Sequence, residues 1–327
     1  MKIAVTGASG HIGVNLCRLL IDKGFQVKAL IHKNLLGLTG LELDTIRGDI
    51  MDPSSLKALI ENADIIFHLA AVISIRGKKD KEILSHNVDG TRNILKAAAE
   101  ASVKRFIHFS SIHALIQEPH DQILEETRPL AINDWMVYSR SKALAEKEVL
   151  NYCKSGLDAV ILNPTAVIGP LDYQPSLLGR ALILLALGKL PLMVPGGYDW
   201  VDVRDVVQAA YSSIKKARKG ERYLLSGHWR DLKELSLIVS KYIDCKPPLI
   251  SCPYWLAKLG LPFINTYCSL TRKEPLYTYD SLNTIRIGHR SISHQKAFHE
   301  LDFSPRPLED TIKDTLEWFR ENGYLAC

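Results

Sequence analysis

A tyrosine and a lysine stand four residues apart in Tyr138-Ser139-Arg140-Ser141-Lys142, inside a stretch whose pattern predicts a helix. On a helix, positions i and i+4 lie one above the other. A phenol and an ammonium can therefore act on one small volume. A cation beside an acid favours the deprotonated form, lowering its pKa by roughly 1–3 units from a tyrosine value of about 10. A hydroxyl tuned in this way can pass a proton near neutral pH. A surface helix presents the same pair by chance, so the pair gains weight only from the residues around it.

Those residues belong to an alternating pattern. Apolar runs at Ile3–Thr6, Gln26–Ile31, Thr45–Arg47, Ile65–Leu69, Arg105–Phe109 and Ala159–Leu162 read as strands. Helical patterns separate them, at about 11–23, from Pro53 onward, at about 81–101 and at about 134–154. Asp52 and Pro53 are suited to the N-cap and first position of the second helix, and Gly24 and Gly156 to ending the first and last. Nearly continuous apolar strands alternating with helices predict an α/β protein with a parallel sheet and right-handed crossovers. Such sheets bind ligands beyond the carboxyl ends of their strands, where the informative residues cluster. The second half is less regular. Residues 201–216 read as helix, Tyr223–Leu225 as a further strand, 269–290 as irregular and 308–322 as a closing amphipathic helix.

Thr6-Gly7-Ala8-Ser9-Gly10-His11-Ile12-Gly13 joins the first strand to the first helix. Gly7 permits a sharp turn, Gly10 lets backbone approach a pyrophosphate, and Gly13 lets helix and strand pack closely. The helix N-terminus then offers unpaired N–H groups to phosphates. A loop of this kind between a clear strand and a clear helix indicates a dinucleotide. The cofactor's 2′ position is read near the end of the second strand, where a carboxylate would accept from a free ribose hydroxyl and repel a phosphate. The sequence there is Ile31-His32-Lys33-Asn34, with no acid and two residues able to meet a phosphate. NADP(H) is therefore favoured, with NAD(H) possible. Asp49 can accept from an adenine amino group with Ile50 against the ring, or simply close a turn. Small residues in Leu69-Ala70-Ala71 let a cofactor lie against backbone. Asn87, unusual in a helix interior, joins the candidate catalytic set as a hydrogen-bonding bridge between two strands.

Composition limits the alternatives. Of 327 residues, 46% are hydrophobic and 24% charged, and the net charge is +5 with basic residues spread along the chain. Nothing marks a nucleic-acid surface. The most apolar run, Ala181–Leu187, is far shorter than the roughly 20 residues that span a bilayer and reads as a buried helix. Lys2-Ile3-Ala4-Val5 already reads as strand, so no signal peptide is expected. The six cysteines form no Cys-x-x-Cys pair, which points to reduced thiols in a cytoplasm and to no metal site.

The glycine loop, Gly48-Asp49-Ile50, Leu69-Ala70-Ala71, Asn87, Phe109-Ser110-Ser111 and Tyr138-x-x-x-Lys142 occur in one order, followed by Asn163-Pro164-Thr165-Ala166-Val167-Ile168-Gly169-Pro170 and Asp199–Val206. This series resembles the extended short-chain dehydrogenase/reductase family, within the NAD-dependent epimerase/dehydratase superfamily. The resemblance covers essentially the whole chain. The closing stretch from Leu301 to Phe319 looks like the branch of dihydroflavonol reductases and 3β-hydroxysteroid dehydrogenases. The resemblance implies a Rossmann-type doubly wound parallel sheet with a smaller, mostly helical C-terminal substrate lobe. Residues 1–165 and about 199–227 would bind the dinucleotide, and about 166–198 and 228–327 the substrate. It implies that Tyr138 is the general acid/base, that Lys142 binds the nicotinamide ribose and holds down the Tyr138 pKa, and that Ser111 hydrogen-bonds the substrate oxygen. Pro164 is placed with the cofactor contacts. His68 and His113 fit better as packed core or loop histidines than as substrate contacts.

Nucleotide-sugar epimerases of this family usually carry an Arg-Asp pair shortly before the residue matching Val201. Tyr198-Asp199 stands there instead, and a diphosphate without a cation would be poorly held. The favoured reading is an NADP(H)-dependent oxidoreductase acting on a small-molecule ketone or aldehyde, or on the matching alcohol. The alternatives are a nucleotide-sugar epimerase or dehydratase with tightly bound NAD, and a non-catalytic dinucleotide sensor or scaffold. The two long helices at about 81–101 and 134–154 are candidates for pairing in a homodimer.

Overall fold

A computed structural model describes residues 1–72, 80–190, 193–243, 251–271 and 277–325. The chain begins with β1 (Lys2–Thr6), α1 (His11–Asp22), β2 (Gln26–Ile31), β3 (Asp44–Arg47), α2 (Pro53–Ile60) and β4 (Ile65–His68). It continues through α3 (Asp80–Leu84), α4 (Gly90–Glu100), β5 (Arg105–Phe109), α5 (Val137–Lys154), β6 (Ala159–Pro164), β7 (Ala166–Ile168) and α6 (Leu177–Ala186). Then follow β8 (Gly197–Asp202), α7 (Val203–Ser213), β9 (Arg222–Leu225), β10 (His228–Asp231) and α8 (Leu232–Ser240). The last elements are α9 (Tyr254–Thr271), α10 (Tyr279–Ile287), α11 (Gln295–Leu301) and α12 (Leu308–Glu321).

Seven strands form one parallel sheet in the order β3-β2-β1-β4-β5-β6-β9. The chain winds outward from β1 to β3, then restarts at β4 on the other side of β1. This reversal opens a crevice at the carboxyl ends of β1 and β4. One face of the sheet buries Val5, Phe67, Ile107 and Leu162 with Val14 and Leu16 of α1 and Val206 of α7. The other buries Ala4, Ile66, Phe106 and Ile161 with Leu56, Ile94 and Val149 of α2, α4 and α5. Burial on both faces is why the strands read as unbroken apolar runs.

Several ends follow local chemistry. The Asp52 carboxylate accepts from Ser54 N at 3.0 Å and Ser55 N at 3.2 Å, with Pro53 opening α2. Gly24 and Gly156 adopt φ of +80° and +114° just past α1 and α5. Other ends were decided by contacts that sequence does not show. The helix expected over 81–101 is interrupted by a π-helical turn, Ser85–Asp89, which contains Asn87. α5 starts at Val137 rather than near 134, because the Asp134 carboxylate accepts from Met136 N at 2.8 Å and closes a turn. The helix expected from 201 begins at Val203, after Asp202 has capped it at Arg204 N. The residues before it belong to β8, which pairs with β7 and β10 in a second, three-stranded sheet. Much of the stretch expected to be irregular from 269 is helical, with α9 extending to Thr271 and α10 opened by a Thr278–Ser281 capping box.

Around the small sheet, Leu182 and Leu185 of α6 pack with Trp200, Leu235, Ile312, Leu316 and Phe319. The apolar run at 181–187 is thus a packed helix, and no helix among the described residues is long and apolar enough to cross a membrane. Cys17, Cys153, Cys252 and Cys268 are free thiols, while Cys245 and Cys327 lie outside the described residues. Among the described residues, no cluster of side chains is suited to a metal ion.

Two histidines are buried under α4 and α5. His68 and His108 stack with ring centroids 5.5 Å apart. His68 is held by Thr6 Oγ1 at 2.7 Å and Thr91 Oγ1 at 3.0 Å, whereas neither His108 nitrogen has a partner. Burial pushes His68 down to about 3 and His108 well below the ordinary range, and the Lys142 charge acts in the same direction on both. An unfolded histidine takes up a proton near pH 6.5. Below that pH the unfolded chain binds protons that these buried rings refuse, so stability is lost as pH falls from about 6.5 toward 3. Thermal melts across this range should show that loss. His108→Leu, which removes one refusing ring and its unpaired nitrogens, should flatten the slope and add about 1 kcal/mol; an unaltered slope would reject the assignment.

Candidate active site

The site is assembled where β1, β4, β5 and β6 end. Gly7 turns with φ +70°, and a Cβ there would lie 2.7 Å from Ala70 N and from the Leu69 carbonyl carbon. A Cβ on Gly13 would lie 2.2 Å from Gly7 O, so α1 packs directly on the turn. A Cβ on Gly10 would meet only Gly7 O, at 3.4 Å, which leaves its outer side open. Gly10 is the N-cap of α1, no side chain caps that end, and its first turn carries no acid. This open cradle, with outward N–H groups and a positive dipole end, fits a dinucleotide pyrophosphate. Ser9 is half-buried within the loop, and Ile12 packs against the core. His11 is a brace: its Nε2 pairs with Pro170 O at 3.0 Å, the same carbonyl that accepts from Asn15 Nδ2 at 3.2 Å.

Across the crevice, Leu69 N donates to Thr6 O at 3.1 Å and Ala70 N to Thr6 Oγ1 at 3.3 Å. Ala71 is half-buried, and the next residue is clamped. Asn87 Oδ1 accepts from Val72 N at 2.7 Å, while its Nδ2 donates to Val72 O at 3.0 Å and Ser141 Oγ at 2.9 Å. Asn87 therefore ties the segment after β4 to helix α5 rather than bridging two strands. The π-helical turn aims its amide between them.

At the far corner, His32 and Lys33 are exposed at the end of β2. Arg47 stands in register beside Ile31 and adds a third basic residue there. Asp49 closes a turn, accepting from Met51 N at 2.9 Å, and its other oxygen lies 3.5 Å from His32 Nε2. A carboxylate thus reaches this corner from β3, although β2 supplies none. Ile50 is buried beneath Gly90 of α4.

At the centre, Ser111 follows β5 and its Oγ accepts from His113 N at 3.2 Å. The Ser111 hydroxyl lies near enough to the Tyr138 phenol to lower its pKa. Lys142 is 5% exposed, and its Nζ donates to Phe109 O at 2.9 Å. His113 presents a ring edge to Tyr138 at 6.3 Å, and burial pushes its imidazole down to about 4. Ser110 Oγ is buried without a partner, and Ser111 is the hydroxyl that acts on the phenol. Pro164 is buried at the end of β6, next to Asn163.

The electrostatics differ from the expectation that Lys142 lowers the Tyr138 pKa. Burial is the larger influence on Tyr138 and raises it, while the Ser111 hydroxyl pulls it back. The Lys142 ammonium is directed at the Phe109 carbonyl. Burial pushes Lys142 down to about 8, and the Glu146 carboxylate works against that. Glu146 and Asn163 were not among the expected site residues. The signal for Glu146 was its spacing: 138, 142 and 146 form one stripe on α5, and a carboxylate on a buried stripe calls for a partner.

Residues 3–226 match the model of the NAD dependent epimerase/dehydratase family. The chain belongs to this family. "Sterol demethylase protein B" of Methylococcus capsulatus is 32% identical over 99% of this chain and all of its own. A "Putative dihydroflavonol 4-reductase" of Synechocystis is 28% identical, covering 98% of this chain and 95% of its own. Among solved structures, gox2253 matches with a TM-score of 0.85 and 29% identity, over 100% of this chain and 99% of its own. The resemblance to the extended short-chain dehydrogenase/reductases holds, dihydroflavonol reductase-like members included. The protein is an NAD(P)-dependent enzyme acting on a carbonyl or alcohol group.

In this family member the tightest contact of the cradle is at Gly13. Gly13→Ala should abolish dinucleotide binding, measured by quenching of protein fluorescence, because the methyl group would press on Gly7 O. Unchanged affinity would show that the turn can yield there.

Proposed function

We propose that the protein is an NADP(H)-dependent reductase of a neutral, partly apolar ketone or aldehyde, working in reverse on the matching alcohol. The observation that carries this reading is the Ser111 hydroxyl and the Tyr138 phenol set together on the same side as the buried Lys142 ammonium. Gly7, Ser9, Gly10, His11, Ile12 and Gly13 would hold the pyrophosphate side of the cofactor. His32 and Lys33 would take its 2′-phosphate, with Asp49 and Ile50 near the adenine. Leu69, Ala70, Ala71 and Pro164 would line the path to Tyr138 and Lys142. Bound there, a reduced nicotinamide supplies hydride to the carbonyl carbon.

The chain's own residues manage the proton. Tyr138, kept protonated by burial, donates to the substrate oxygen. Ser111 donates to the same oxygen, and the Lys142 cation stabilises the resulting phenolate. Asn87 holds the segment after β4 and α5 in register around them. The same reading divides the chain into a dinucleotide-binding body, 1–165 with about 199–227, and a substrate-binding body of the remainder, with one boundary falling inside β8. It places the protein in the cytoplasm, as a homodimer paired through α4 and α5. Those two helices are already tied within one chain by Arg92 Nη2 and Glu148 Oε1 at 3.0 Å.

The substrate class rests on Tyr198. It is packed edge-on against Trp200 at 5.3 Å, and burial raises its pKa. A half-buried phenol where an epimerase of this family carries arginine supports a neutral substrate. The names of the two relatives, a sterol demethylase protein and a putative dihydroflavonol reductase, fit an apolar one. A second reading, an epimerase or dehydratase with tightly held NAD, has in its favour the Asp49 carboxylate at the ribose corner. Purified protein carrying NAD and converting sugar nucleotides without net cofactor turnover would select it.

Tyr138→Phe should keep NADPH affinity and lose about 10²–10⁴-fold in kcat on a responsive carbonyl, followed at the reduced-nicotinamide absorbance. Near-normal rates would remove Tyr138 from the acid role. His32→Asp combined with Lys33→Ala should move the NADP/NAD ratio of kcat/KM about tenfold or more toward NAD. A constant ratio would dismiss these residues as readers of the 2′ position.

A further inference from the structure

One buried charged network adjoins the site without taking part in the proton transfer described above. Glu146 lies one helical turn beyond Lys142 on α5 and is fully buried. Its Oε1 accepts from Asn163 Nδ2 at 2.5 Å. The same Asn163 amide donates to Ser111 O at 2.9 Å. Its Oε2 meets Arg222 Nη2 of β9 at 3.0 Å, as an ion pair rather than an aligned hydrogen bond. Arg222 is fixed in turn by the carbonyls of Glu126 and Arg128.

We propose that Glu146 is a positioning residue: through Asn163 it fixes the backbone that carries Ser111, and along α5 it supplies the counter-charge that keeps Lys142 an ammonium. This inference rests on the reductase reading for the roles of Ser111 and Lys142. A buried carboxylate is costly unless paired. This one has a partner on each oxygen: Asn163 of β6, which leads to Ser111, and Arg222 at the start of β9, which leads to the Glu126 and Arg128 carbonyls. Through Asn163 the network reaches Ser111, beside the Tyr138 phenol. Along α5 the same carboxylate acts on the Lys142 cation one turn away.

The groups around Lys142 show why a counter-charge matters. Phe109 O accepts from its Nζ, Tyr138 stands one turn before it on α5, and His68 and His108 approach from β4 and β5. Tyr138 is a neutral phenol, and burial keeps both imidazoles neutral, so none of these compensates the cation. Glu146 is the carboxylate that does so, and it is shared with Arg222 on β9. Removing its charge disfavours the charged lysine, so the Lys142 titration must move to lower pH.

The test is Glu146→Gln, which keeps the size and an acceptor for Asn163 but loses the charge. Glu146→Gln/Arg222→Met serves if the single variant does not fold, and Glu146→Asp is the conservative rescue. Lysine ε-¹³C NMR of the free protein reads Lys142 without any turnover, assigned against Lys142→Met. Its midpoint should drop by about one pH unit in the Gln variant and return with Asp. In turnover assays, the alkaline limb of kcat should move down with it, while NADPH affinity at pH 6.5 stays unchanged. An unmoved Lys142 midpoint in a folded variant overturns the proposal, and so does failure of both variants to fold, which would make Glu146 purely structural. Absence of wild-type turnover on any carbonyl would overturn the reductase reading instead, and the NMR midpoint would still judge Glu146.

Discussion

A lysine ammonium held almost out of water at the end of β5 is the constraint around which the neighbouring elements are arranged. Taking a cation from water is expensive unless hydrogen bonds and an opposite charge compensate it. Here the Phe109 carbonyl supplies the hydrogen bond and Glu146 the charge. The balance leaves Lys142 near the middle of its titration in mildly alkaline water, where its neighbours decide its state. That demand gives a reason for the carboxylate buried on α5, on a face that otherwise packs against apolar strands.

The same economy of contact governs the dinucleotide cradle. The β1–α1 turn can approach β4 only because Gly7 lacks a side chain, and α1 can sit on the turn only because Gly13 lacks one. These close approaches bring the open α1 N-terminus beside the segment after β4. Asn87 then fixes that segment to α5. The glycine turn and α5 are therefore joined by backbone contact and one amide, not by a flexible connection. On the reductase reading, a hydride donor in the crevice and the Tyr138 phenol would share one rigid frame, as positional catalysis requires.

The second half of the chain builds a core of its own. Its three-stranded sheet and the helices α6, α8 and α12 bury a separate apolar core, and Tyr198 lies at the edge of that core rather than offering a charge. On α9, Trp255 and Leu259 stay 64% and 63% exposed, so apolar composition in this half does not by itself mean interior packing.

What sequence alone determined is local. Strand positions in the first half, the Asp52 cap, the glycine turn and the i, i+4 spacing of Tyr138 and Lys142 follow from short-range sterics, burial periodicity and hydrogen-bond chemistry carried by adjacent residues. Alternation of strands and helices added the parallel sheet, and the order of the motifs, read as a family resemblance, the doubly wound topology and the enzyme class. Tertiary structure decided the rest because its causes are distant in the chain. β8 became a strand only by pairing with β7 and β10. The π-helical turn at Asn87 is a departure from regular helix that places one amide between Val72 and Ser141. The direction of the Tyr138 pKa was set by burial, which no spacing reveals. Glu146, Asn163 and Arg222 come from three separate elements, and a charge buried among them acquires meaning only when the fold brings its partners within hydrogen-bonding reach.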